Sequence, residues 1–139
     1  MAGADKPDAT IGDLSARRAQ AGRALARLAR LDASAAELVQ LVAAARHIGP
    51  EDILRRARRA DIAAGRQLAM YLTHVGLGRT LTEVGALFGR DRTTVAYACA
   101  QIEDHRDDPA FDAEVTELET AIDRRQPVDV AAGDLRRAG

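Results

Sequence analysis

Seven residues from Gly89 to Val95, GRDRTTV, gather an unusual density of hydrogen-bonding chemistry. Arg90 and Arg92 are permanent cations whose planar forks match a phosphate or the O6/N7 edge of guanine. Thr93 and Thr94 offer hydroxyls to phosphate and methyls to a thymine methyl. Asp91 suits a helix N-cap, bonding the amides of Thr93 or Thr94, and a carboxylate there can also accept from a cytosine amino group. The free amides of a helix start hold phosphate as well. Tyr97, one turn further on, can stack, bond to phosphate, or pack at a rim. Upstream lie two more basic features. Arg55, Arg56, Arg58 and Arg59 form a cluster that either touches phosphates or is a solvated charge run. Arg66 falls where a helix begins, so its charge opposes the helix dipole and asks for a functional reason.

Other chemistries lack their residues. Cys99 is the only cysteine, which excludes an internal disulfide and a Cys-based zinc finger. It reads as a small buried hydrophobe. His47, His74 and His105 lie far apart without ligand spacing, so no metal site is expected. No Ser/His/Asp set or carboxylate pair stands out, so no catalytic residue and no enzyme activity are expected. No GxxxxGK[ST] phosphate loop occurs anywhere, and no nucleotide or other cofactor is expected.

The formal charge of −1 over 139 residues hides a strong asymmetry. Residues 46–106 carry ten Arg against seven acids, a net +3, whereas residues 107–139 are net −5. A basic centre flanked by an acidic arm fits a polyanionic partner better than the total suggests. Nineteen of the 20 basic residues are Arg, which favours phosphate and guanine recognition. A high-GC genome, which also enriches Ala and Arg, accounts for part of this composition.

The elements that must position these residues are helical. Thirty alanines and 3% aromatics make a core of small aliphatic groups, suited to close-packed helices. Four Pro and 11 Gly are too few for a turn-rich β-sandwich. Residues 1–11 lack periodicity and read as disordered. From Asp13 a helix carries Leu14, Ala21, Leu25 and Leu28 on one line, with arginines largely off it. A second helix is predicted from an N-cap at Ser34 to His47, and Pro50 opens a short third one. IAAGRQLAMYLTHVG reads as a long buried helix ended by Gly76 and Gly78. Thr80-Leu81-Thr82-Glu83 fits a capping box, opening a helix that buries Leu81, Val84, Leu87 and Phe88. Gly89 stops it with positive φ, and Asp91 caps a second helix burying Val95, Ala98, Cys99 and Ile102. Gly85 falls where the two helices cross. This is the spacing of a helix-turn-helix, in which the start of the second helix enters the major groove. Asp108-Pro109 opens a last helix with Phe111, Val115, Leu118 and Ile122 on one stripe, stopped by Gln126-Pro127.

The string GRQLAMYL…LTEVGALFGRDRTTVAYACAQIED resembles the C-terminal DNA-binding domain of the bacterial replication initiator family DnaA, over roughly residues 35–106. The resemblance implies an all-α fold related to the Trp repressor, and binding to DnaA-box-like double-stranded DNA. It implies base contacts from Asp91, Arg92 and Thr93, with Arg90 and Thr94 near backbone and bases. It places Arg66, the Arg of an "RQ" pair, in the minor groove. Three departures stand out. One glycine precedes the RD pair where the family has two, Arg92 replaces a usual His, and Gln101 replaces a basic residue. Without an ATPase motif, the chain is expected to be a free-standing version of the domain, a small transcription or replication regulator.

The candidate DNA-binding set is therefore Arg58, Arg59, Arg66, Thr80, Thr82, Arg90, Asp91, Arg92, Thr93, Thr94 and Tyr97. Three regions are expected: 1–33, a start and Arg-rich helix; 34–106, the helix-turn-helix domain; and 107–139, an acidic helix and tail. The alternative is a helical protein-interaction adaptor with a vestigial helix-turn-helix. Each end helix carries an apolar stripe that must be buried, either against the domain's own core or between subunits. The expectation is the second option, a homodimer through the two end helices. The acidic start MAGADKPDAT is no signal peptide, and no run reaches the ~18 apolar residues of a membrane span. A cytoplasmic protein of the bacterial nucleoid, without membrane or nucleotide partners, is expected.

Overall fold

The computed structural model describes residues 22–125. Leu14 and Ala21, assigned above to an expected first helix, and the expected C-terminal tail lie outside the described residues. Within them the structure is all-α, with helices joined by short turns and no strand. Helix α1 occupies residues 22–31. The others are α2 (Ala33–Arg46), α3 (Pro50–Leu54), α4 (Ala60–Val75), α5 (Leu81–Phe88), α6 (Arg92–His105) and α7 (Pro109–Arg124).

Helix α4 is the axis of the fold. Ile62, Leu68, Ala69, Met70, Tyr71, Leu72 and Thr73 are all buried, so it is apolar over most of its circumference. It packs against α2, α3, α5 and α6. Small residues allow this close approach: Ala35, Ala36 and Ala43 of α2 and Ala69 of α4 are essentially without solvent contact. The Thr73 hydroxyl, buried among them, donates back to the Ala69 carbonyl at 2.7 Å and so leaves no polar atom unmatched.

The cap of α2 differs from expectation. Asp32, not Ser34, is the N-cap, accepting from the Ala35 amide at 3.1 Å. The reason is tertiary. Arg79, in the turn before α5, donates to both carboxylate oxygens of Asp32 at 2.7 and 3.2 Å and to the Leu77 carbonyl at 2.8 Å. Burial alone would raise the Asp32 pKa, but the bonds from Arg79 and the Ala35 amide outweigh it and hold the group below its usual 3.8. One carboxylate thus caps α2 and ties the α1–α2 junction to the approach to α5. At the other end, His47 adopts a left-handed conformation (φ 58°) and returns its amide to the Ala43 and Ala44 carbonyls.

Helix α7 answers the question of the C-terminal stripe. Val115, Leu118 and Ile122 are buried in the chain's own core, with Phe111 packed at its margin. Of the two options for this stripe, it takes burial in the domain's own core, against α2 among others. Polar groups fix its register. Arg106 donates to Asp112 at 2.6 Å, to Glu119 at 3.3 Å, to the Thr116 hydroxyl at 3.2 Å and to the Tyr71 hydroxyl at 3.0 Å. Tyr71 in turn donates to the Glu103 carboxylate. Burial, together with that carboxylate, pushes the Tyr71 phenol up. Arg46 pairs with Glu114 at 3.1 Å and lies over the Phe111 ring. Three acids of α7, Asp112, Glu114 and Glu119, are thus engaged by Arg46 and Arg106. From α1, Leu28 is buried and Leu25 packs against the core.

Candidate nucleic-acid interface

The surface of interest is built by α5, its turn, and the start of α6. The α5 capping box is present: Glu83 N–H donates to the Thr80 hydroxyl at 3.1 Å, and Thr80 N–H donates to the Glu83 carboxylate at 2.8 Å. Val84 and Phe88 are buried, Leu81 and Leu87 half-buried. Gly89 ends the helix with φ 67°, in the left-handed region that favours glycine. The crossing itself requires Gly85. A Cβ there would stand 2.5 Å from the Arg90 carbonyl, closer than real Cβ atoms come. That closeness lets the Arg90 amide donate to the Gly85 carbonyl at 2.9 Å and folds the turn tightly.

Helix α6 then starts at a fixed point. Asp91 accepts from the Thr94 amide at 2.8 Å. This bond holds its carboxyl below the usual range, so it remains ionised. A capping carboxylate uses one oxygen and leaves the second with its acceptor capacity, so the cap does not exclude contact with a ligand. Val95, Ala98 and Ile102 face the core and lock the helix by one side. The other side of the first turn, Arg92, Thr93 and Thr94, is exposed. Arg92 has no hydrogen bond or ion pair to a described residue. Tyr97 is 61% exposed, and Gln101 donates to its hydroxyl at 2.6 Å. Thr80 and Thr82 are exposed at the start of α5. Cys99 is half-buried against the core, and burial raises its thiol pKa, which makes it an inert packing group.

The basic cluster lies in the loop between α3 and α4. Arg56, Arg58 and Arg59 are exposed; Arg55 is half-buried, 3.8 Å from Asp52. Arg59 is engaged with Asp61 through bonds of 3.0 and 2.7 Å. Its guanidinium pulls the Asp61 carboxyl down to about 2. Arg56 and Arg58 form no ion pair with a described residue.

Two arginines of the candidate set turn inward. Helix α4 begins at Ala60, so Arg66 stands in its second turn and not at a helix start; the dipole argument for it does not apply. Arg66 is only 8% exposed. Its guanidinium donates to the carbonyls of Ile53 (3.0 Å), Arg55 and Ala57 (3.2 Å). Those acceptors belong to the C-terminal end of α3 and the loop beyond it, carbonyls the short helix cannot satisfy by itself. Arg90 donates to the carbonyls of Phe88 at 3.1 Å, Gly89 at 3.3 Å and Arg55 at 3.4 Å. Burial lowers the pKa of both guanidinium groups, with Arg90's charge acting on Arg66 and Arg56's on Arg90. The structure thus gathers Asp91, Arg92, Thr93 and Thr94 on one exposed turn, with Arg66 and Arg90 behind it. Sequence reasoning missed the network on Arg106 and the Arg79–Asp32 bridge. Their partners lie up to 47 residues apart and leave no local signature.

Comparison with known proteins agrees with this geometry. The family described as "Bacterial dnaA protein helix-turn-helix" matches residues 35–102, which run from α2 into α6. A chromosomal replication initiator protein DnaA of Thermus thermophilus is 34% identical over 100 residues, covering 69% of this chain and 23% of the relative. That of a Picosynechococcus strain is 39% identical over 66 residues, 47% of this chain and 15% of the relative. That of Lactococcus lactis is 48% identical over 59 residues, 42% and 13% respectively. The chain spans less than a quarter of the length of these relatives. Among the described residues no helix is long and apolar enough to cross a membrane. Over residues 35–102 the chain carries a DNA-binding helix-turn-helix domain of the bacterial DnaA type.

Proposed function

We propose that this chain binds double-stranded DNA sequence-specifically, with the first turn of α6 in the major groove, and regulates transcription or replication. The exposed, unpartnered Arg92 at the start of a helix locked from behind is the observation that carries this reading. A guanidinium with no partner among the described residues has its fork available for guanine O6 and N7. Thr93 contacts a thymine methyl or a phosphate, and the remaining acceptor capacity of the Asp91 carboxylate takes a cytosine amino group. Thr94, the amides of the α6 first turn, Thr80 and Thr82 hold phosphates. Tyr97 borders the groove. Arg56 and Arg58 supply charge to the backbone, and Arg59 does so in competition with Asp61. The relatives are named as chromosomal replication initiators, so a DnaA-box-like duplex is the first target to try. Because Arg92 stands where the family has His, a changed base preference is expected at one position. The nucleoid is the place of action, and no catalytic step is part of the proposal.

Selection from a random duplex pool tests it, followed by affinity measured against salt. One enriched motif, with affinity falling steeply as salt rises, is the expected result. No enrichment and no salt dependence would leave a helical protein-interaction adaptor as the better reading.

A further inference from the structure

Residues 76–80, the turn between α4 and α5, include two glycines, and Gly78 stands at φ 74° with open space where a Cβ would be. Arg79 supplies the hold that such a turn lacks. Its amide donates to the Thr73 carbonyl at 3.3 Å, and its carbonyl accepts from His74 Nδ1 at 2.7 Å. Its guanidinium bonds back to the Leu77 carbonyl and takes both carboxylate oxygens of Asp32. Asp32 is itself fixed on both sides. Its amide donates to the Leu28 carbonyl of α1 at 2.7 Å, and its carbonyl accepts from the Ala36 amide of α2 at 3.1 Å. The residue after Arg79 is Thr80, the cap of α5. One ion pair therefore anchors the exposed start of α5 to the α1–α2 junction.

We infer that Arg79 is a positioning residue for DNA: braced on Asp32, it holds the start of α5, with Thr80 and Thr82, where that end grips a phosphate. This rests on the DNA-binding reading above. Arg79 is not the phosphate ligand itself. Its side chain is 30% exposed and that of Asp32 12%, so a guanidinium swung out to a duplex would leave a largely buried carboxylate without its cation. The pair joins residues 47 positions apart, and so makes the grip of α5 depend on α1 and α2.

Asp32→Asn in the full chain separates the two roles by sign. Asparagine still caps α2 but removes the charge that holds Arg79. Charge alone would tighten binding, because an acid is lost and a guanidinium is freed. The positioning role gives the reverse. Binding to the selected duplex at neutral pH should weaken by about three- to tenfold, with a salt slope lower by about 0.9, one phosphate contact. Base preference should stay unchanged, since the Asp91 cap and its own core face hold α6. In the free protein, amide hydrogen exchange over residues 78–82 should accelerate by about tenfold while exchange in α6 stays slow. Arg79→Lys keeps the charge without the fork and should show the same losses in milder form. Adding Arg79→Met to Asp32→Asn should weaken binding less than about twofold further, because both act through one ion pair. Tighter binding in Asp32→Asn, with a raised slope, would make Arg79 a phosphate ligand. Unchanged binding with a lower melting temperature would make the pair purely structural. Either result overturns the inference. Should Asp32→Asn fail to fold, Arg79→Lys carries the slope and exchange readouts, and no change in both sinks the proposal. A parent that binds no duplex would defeat the functional reading instead, and exchange over 78–82 in Asp32→Asn would still decide whether the ion pair holds the turn.

Discussion

Arg92 and Arg59 show how a single partner changes what an arginine is available for. Arg92 has no described partner, so its truncation removes a contact without freeing a buried charge. Arg92→Ala is expected to weaken binding to the selected duplex by about 1–3 kcal/mol and to relax specificity at one base position. Affinities on duplexes varied at each position check this, and equal binding to all of them would remove Arg92 as a reader. Arg59 is held by Asp61, whose carboxyl at about 2 keeps the pair intact at any working pH. Asp61→Asn should therefore release Arg59 to the backbone. The expected result is tighter duplex binding, a few-fold at low salt, with a salt slope raised by about one contact.

At the scale of elements, caps and turns set the angle at which α6 leaves the protein. Gly85→Ala drives a Cβ into the Arg90 carbonyl, which is backbone and cannot rotate away. It is expected to cost about 1–3 kcal/mol in denaturant unfolding and to reduce DNA affinity by tilting α6. Thr80→Ala dissolves the capping box and should cost about 0.5–2 kcal/mol. The caps of α2 and α6 are both carboxylates, Asp32 and Asp91, and both have folded pKa values below the usual 3.8. Lowered carboxyl pKa values favour the fold above the unfolded value and lose that contribution as pH falls through the folded value. Stability should accordingly be flat from neutral pH down to about 5 and fall below about 4. Asp32→Asn should flatten this acid limb in thermal unfolding followed against pH. An unchanged limb would exclude Asp32 as its source.

For the molecule as a whole, α7 lies beyond residues 35–102 matched by the DnaA helix-turn-helix family, and it completes the core. Its stripe of Val115, Leu118 and Ile122 is already buried, each side chain contributing roughly 1.5–3 kcal/mol. No large apolar face of α7 remains for a second copy. Light scattering at micromolar concentration is therefore expected to find a 14.9 kDa monomer, in contrast to the dimer that two unsatisfied stripes would require. A particle of twice that mass would place an interface elsewhere, around the described part of α1 or on the helix-turn-helix itself. Arg106→Ala should destabilise the fold by about 1–3 kcal/mol, the cost of losing charged hydrogen bonds in a half-exposed network. It should loosen α7 before the recognition helix, which hydrogen exchange would resolve.

The parts of this protein legible from residues alone are those decided within four positions of the chain. The Thr80–Glu83 capping box, the left-handed Gly89, the Asp91 cap and Pro50 and Pro109 at helix starts all depend on i to i+3 or i+4 geometry, which sequence displays directly. The all-α fold followed from periodicity and small aliphatic residues, and the GRDRTTV turn identified where contact would occur. Tertiary structure decided the rest, because it assigns each long cation to a partner. Asp32 displaced Ser34 as a cap when Arg79 arrived from 47 residues away. Arg106 found Tyr71 and α7 in the same manner. Arg66, which the resemblance assigns to the minor groove, is buried and donates to carbonyls 9–13 residues upstream. An arginine carries five donors on a flexible stem, so its type says that it will bond to oxygen. Only packing says whether that oxygen belongs to the protein or is left for DNA to supply.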